Sequence, residues 1–156
     1  MSFAEEKKMK KWPLITIACA LLLSGCSSIK FVPSLEERSR PQVTVADGRI
    51  ALNQDVLFFF PDERDVTVVW QLPKSTRYRF PKENGIVIEG RLSDRRVAGG
   101  VGLDRQDEIV NCSWRNDSEF SCLNRHRVPG VYKYTIRVED VETKKTIERD
   151  PAFVNM

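Results

Sequence analysis

Two cysteines ten residues apart, a lone histidine and three pairs of adjacent carboxylates are the groups from which this 156-residue chain could build chemistry. Cys112 and Cys122 bracket the sequence SWRNDSEFS, centred on the turn-forming residues Asn116, Asp117 and Ser118. If residues 115 and 119 flank that turn, Trp114 lies opposite Phe120 and Cys112 opposite Cys122, so the two sulfurs meet across a hairpin. The same register gathers Val110, Cys112, Trp114, Phe120 and Cys122 on one apolar face, as cross-strand pairing favours. A redox pair usually has C-x-x-C spacing, and a structural zinc takes about four Cys or His ligands. The spacing therefore predicts a structural disulfide, and no metal or cofactor is expected.

His126 is the sole histidine. A blue-copper centre needs two, and a Ser-His-Asp triad would have to form its imidazolium between Arg125 and Arg127. A surface or turn position just ahead of Pro129-Gly130 is the expectation. The carboxylate pairs Asp62/Glu63, Asp107/Glu108 and Glu139/Asp140 fall at strand ends and turns, where charged residues are ordinary, and nothing marks one of them as a glycosidase acid. The glycine-rich stretch RRVAGGVGLDRQ, residues 95–106, lacks the Lys-Ser/Thr of a phosphate loop and reads as a flexible loop. Loops carried on a rigid scaffold are where binding concentrates. Arg95, Arg96, Asp104 and Arg105 are thus the candidate contact residues, and no catalytic residue is assigned.

The remaining thiols lie near the start of the chain. Residues 14–23 form an apolar run of ten, half of the about 20 residues a spanning helix requires. Lys7, Lys8, Lys10 and Lys11 precede it and small residues follow, which is the layout of a secretory signal peptide, complete even if Met9 is the start. Its end, Leu23-Ser24-Gly25-Cys26, resembles the lipobox of bacterial lipoproteins at all four positions. The resemblance implies cleavage after Gly25 and acylation of Cys26. Two or more acyl chains give stable membrane attachment, at about 0.8 kcal/mol per buried methylene. Ser27 and Ser28 stand where a retention aspartate would point to the inner membrane, so the resemblance implies an outer-membrane protein facing the periplasm.

Residues 26–41 read as a lipidated tether, because IKFVPSLEERSRP shows no sustained period. As a coil it would stand a domain off the bilayer by roughly 20 Å. Beyond Gly25 the chain carries 21 basic against 20 acidic residues. That balance gives no basic face for nucleic acid, which is excluded as a partner.

Residues 42–156 alternate with a period of two, the signature of half-buried strands. Ile50 with Leu52, Val66 with Val68, Trp70 and Leu72, Ile86 with Ile88, and Tyr132 with Tyr134, Ile136 and Val138 each share a face. VLFFF, residues 56–60, is apolar on both faces and suggests a central or covered strand. Asn84-Gly85 signals a turn. Six prolines (Pro41, Pro61, Pro73, Pro81, Pro129, Pro151) fall between the runs, where a missing amide donor is tolerated. No window shows a helical period. The pattern predicts an all-β domain, an antiparallel two-sheet sandwich.

PGVYKYTIRV, residues 129–138, resembles the penultimate strand of immunoglobulin-like sandwiches. That resemblance implies a tyrosine corner at Tyr132, its hydroxyl returning to backbone upstream. A hairpin disulfide departs from the inter-sheet disulfide of antibody-type domains. Together these readings lead to the expectation of a membrane-anchored, non-enzymatic binding or scaffolding module of the cell envelope with an envelope protein as partner. The alternative is an inhibitor of an envelope-attacking enzyme such as lysozyme, because a stiff disulfide-bonded domain enters a cleft at little entropic cost.

Overall fold

Alternating side chains and turn residues shape the chain as the periodicity predicts. The computed structural model describes residues 32–97 and 100–156, without the side chains of 94–101. The signal peptide, Cys26 and the start of the tether lie outside the described residues. Val32–Met156 forms a unit of its own. Its elements are α1 (Leu35–Arg38), β1 (Val43–Ala46), β2 (Arg49–Leu52), β3 (Val56–Phe59), β4 (Val66–Gln71) and β5 (Tyr78–Arg79). β6 (Ile86–Val97), β7 (Gly100–Asp104), β8 (Ile109–Asn116), β9 (Glu119–Asn124), β10 (Gly130–Asp140), β11 (Thr146–Arg149) and β12 (Ala152–Asn155) complete it. The class is all-β with open sheets.

The larger sheet runs β3-β12-β10-β6-β7, with β5 and β11 also paired to β10; a second sheet runs β4-β9-β8, and β1 and β2 form a hairpin. Pairing between these strands is antiparallel except between β3 and β12, which lie parallel, and an isolated parallel bridge joins Gln42 to Gln71 at the end of β4. β10 is the spine. Tyr132, Tyr134, Ile136 and Val138 are all buried on its inner face, as alternation requires. Val68 and Trp70 of β4, with Leu72 just past its end, meet them. The Trp70 indole Nε1 donates to the Tyr134 hydroxyl at 3.3 Å, and the Tyr134 and Phe153 rings pack 4.8 Å apart. A fully buried side chain of this size contributes about 1.5–3 kcal/mol by leaving water, so this aromatic group joins the two sheets. Gly85, in the turn after Asn84 (φ +60°), is held to glycine by Phe120: a Cβ there would sit 2.7 Å from the ring.

Three expectations are corrected. β3 is neither central nor covered but an edge strand, with Leu57 and Phe59 in the core and Phe58 and Phe60 exposed. Its second apolar face is therefore not explained by a second layer of protein.

Residues 32–41 are not a free tether. Ser34 and Glu37 form a capping box: the Ser34 Oγ accepts from Glu37 N at 3.3 Å, and the Glu37 carboxylate accepts from Ser34 N at 2.8 Å. Such a box satisfies two amide donors of a helix start and fixes the single turn of α1. The S-x-x-E spacing was the signal for it. Beyond α1, Ser39 O and Pro41 O accept from Val69 N and Gln71 N at 2.8 and 3.0 Å, stitching the segment along β4.

The third correction concerns β8. Asn111 has φ +53° and shifts the register between Val110 and Ser113. Such an extra residue exchanges the faces of the strand beyond it. Ile109 accordingly takes the core position expected of Val110.

Candidate functional site

The hairpin of β8 and β9 places Ser113 opposite Ser121 and Trp114 opposite Phe120. That register brings Cys112 to Cys122, and the two form a disulfide with their Cα atoms 4.1 Å apart. Cys122 and Phe120 are buried, while Cys112 and Trp114 pack against the core half-buried. The Lys82 ammonium stands 5.2 Å over the Trp114 ring, and the indole N–H is buried with no hydrogen-bond partner.

The region expected to be a flexible contact loop, residues 95–106, is largely paired strand. Arg95 and Arg96 belong to β6 and Asp104 to β7, with Arg91 opposite Asp104 and Arg96 opposite Val101. Residues 98–99, the connection, lie outside the described residues, as do the side chains of Arg95 and Arg96. Gly100 and Gly102 lie within β7, so the glycine-rich stretch supplies strand residues here. Arg105 is exposed just past β7. Gln106 is fixed: its Oε1 accepts from Glu108 N and Ile109 N, both at 2.8 Å. Asp104 thus stands at the end of β7, opposite Arg91 of β6, which in turn pairs with Tyr132 of β10, and Arg105 follows it.

His126 is buried rather than on the surface, in a left-handed backbone conformation (φ +48°). Its Nδ1 lies 3.0 Å from Glu63 O and its Nε2 2.9 Å from Met156 O. Carbonyl oxygens only accept, so a neutral ring satisfies one of them and a doubly protonated ring both. The residue ties the segment after β3 to the segment after β12.

Each carboxylate pair has a member engaged in holding backbone. Glu63 receives both guanidinium nitrogens of Arg38 (2.5 and 2.8 Å) and the Phe60 amide (2.8 Å). Hydrogen bonding from Arg38 holds its carboxyl below the ordinary range, against the opposing effect of burial. Arg38 also donates to Phe58 O and Pro33 O. This clamp closes the open side of β3 to further strand pairing, as edge strands require. Glu108 accepts from Arg127 N, and Asp140 from Glu142 N.

A groove of about 440 Å³ opens beside the clamp where the chain enters the domain, walled by Val32, Val56, Phe58, Phe60 and Met156 over Arg38. Sequence reasoning misses it because VLFFF, apolar on both faces, suggests a central or covered strand. The second apolar face carried by Phe58 and Phe60 is the available signal.

Among the described residues no group of three or more His, Cys, Asp and Glu could hold a metal ion, and no helix is long and apolar enough to cross a membrane. Compared with known proteins, the chain matches no family model and none of the curated sequences.

Proposed function

We propose that this chain is a lipid-anchored, non-enzymatic binding or scaffolding module of the bacterial cell envelope, tied by Cys26 to the outer membrane and facing the periplasm. The observation that carries this reading is Leu23-Ser24-Gly25-Cys26 at the end of a charged-then-apolar leader. A disulfide between Cys112 and Cys122 supports it, because such bonds persist in oxidising compartments outside the cytosol. The fold belongs, on this reading, with the immunoglobulin-like sandwiches. The tyrosine-corner geometry of Tyr132, whose hydroxyl donates to Val128 O at 2.7 Å, supports that assignment.

The test is the intact mass and membrane partition of the mature protein and of Cys26→Ala. Acylation of Cys26, with release of the variant to the soluble fraction, is the expected result. A variant wholly retained in the membrane fraction overturns the reading. Crosslinking in intact cells followed by capture then separates the two functional classes. One envelope protein recovered in comparable amount identifies the scaffold's partner, whereas inhibition of lysozyme by the purified protein transfers the function to the inhibitor class.

A further inference from the structure

The outer face of the larger sheet carries an apolar row that crosses all five strands of its main path. Phe58 on β3 pairs with Val154 on β12, and Val154 pairs with Val131 on β10. Tyr132 pairs with Arg91, which places Leu92 of β6 on the next rung, opposite Val131; Leu92 in turn pairs with Leu103 of β7. Directly paired residues share a face, and neighbours along a strand point to opposite faces. Since Tyr132 and Phe153 point into the core, this row points away from it. At 4.7–4.9 Å per strand it extends about 19 Å.

The two ends of the row are the most open, with Phe58 44% and Leu103 43% exposed. At the Phe58 end it runs into the groove walled by Val32, Phe60 and Met156. Farther along the same face the surface is charged: Thr135 donates to Glu89 and Asp150, and Arg137 pairs with Glu148. A contiguous apolar band bounded by polar residues marks an interaction surface.

Chain length selects the occupant. α1 and residues 39–42 are fastened to the domain, and five residues, 27–31, separate Cys26 from Val32 in the sequence. Fully extended, that stretch reaches at most about 20 Å. We propose that the apolar row and the groove beside Val32 rest on the surface of the lipid bilayer, so that the domain lies against the membrane by its larger sheet. This inference rests on the anchoring of Cys26 proposed above. A short leash starting at the apolar end of a face holds that end at the bilayer, where Phe and Leu side chains enter the headgroup boundary as they do in interfacial helices.

The experiment uses the full chain, exported, processed and reconstituted into phosphatidylethanolamine–phosphatidylglycerol vesicles. Nitroxide labels are placed at Leu103→Cys and, on the charged part of the same face, at Glu148→Cys. The expected result is a several-fold lower collision rate with an aqueous nickel chelate at position 103 than at 148, lost on adding Phe58→Asp although the protein still floats with the vesicles. A floating, acylated protein whose position 103 is as open to nickel as position 148 overturns the inference and leaves the anchor intact. A protein with unmodified Cys26 that does not float overturns both. Shielding that appears only at high protein density, with dipolar broadening between labels, assigns the row to a second copy and also overturns it.

Discussion

Asn124 and Asn155 exchange a reciprocal pair of amide hydrogen bonds, Nδ2 to Oδ1 at 2.9 and 3.0 Å in the two directions, with both side chains buried. They join β9 of the smaller sheet to β12 of the larger, and the Asn124 Oδ1 also accepts from His126 N. Buried amides left without partners cost about 1–3 kcal/mol each. Asn124→Ala is expected to lower unfolding free energy by at least that amount in urea titration. Asn124→Leu combined with Asn155→Leu should recover part of the loss, because no polar side chain is then stranded.

The Arg38–Glu63 clamp sets an acid limit. The folded protein holds Glu63 below its ordinary value, so the stability it adds is complete above about pH 4.3. It is lost as pH falls through the lower folded value. Glu63→Gln should flatten that part of the stability–pH curve measured by thermal melts. Glu63→Ala should cost about 3 kcal/mol near neutrality, at the low end for breaking a buried pair because Arg38 keeps two carbonyl partners.

Alkaline pH acts on the core instead. Burial pushes the Tyr134 hydroxyl far above its ordinary value, and burial followed by the nearby Glu108 raises Tyr132. Both are held neutral in the fold, so stability falls as pH rises above about 10, where the unfolded chain ionises freely. Phenolate absorbance from these two residues is expected to appear with unfolding rather than before it. Tyr134→Phe should reduce the alkaline sensitivity while exposing the loss of the Trp70 hydrogen bond.

Reduction of the Cys112–Cys122 bond opens a loop of ten residues. In the chain-entropy account that costs about 2–3 kcal/mol. Cys112→Ala combined with Cys122→Ala should shift the urea midpoint by a corresponding amount with the strands still formed by circular dichroism. Free thiols in protein purified without reductant would contradict the bridge.

Period-two alternation makes the strands legible: the inward set of β10 and of β4 can be named from sequence. The pairing of Trp114 with Phe120 is found, but not from the expected turn flanked by residues 115 and 119: Asn116 pairs with Glu119, and a register shift between Trp114 and Asn116 restores the pair. What escaped depends on contacts between distant segments. Nothing near Arg38 announces Glu63, and without that pair α1 and β3 look like a loose tether and a buried strand. The Asn111 bulge is invisible to a strict two-residue period, so Val110 and Ile109 were exchanged. The apolar row was illegible because its five members come from five strands whose order alternation does not specify.

Parallel pairing puts β12, the last of the described strands, between β3 and β10. A nascent chain emerging from its N-terminus therefore makes β3 long before β3 has a neighbour, and Leu57 and Phe59 stay unsatisfied until residues 152–155 arrive. Non-local pairings of this kind are slow to form, and waiting segments of apolar strand are aggregation-prone. The sheet closes like a row of books held by the last volume, so a ribosome that stops before Ala152 yields a chain lacking both the strand on which β3 depends and Met156, whose carbonyl faces His126.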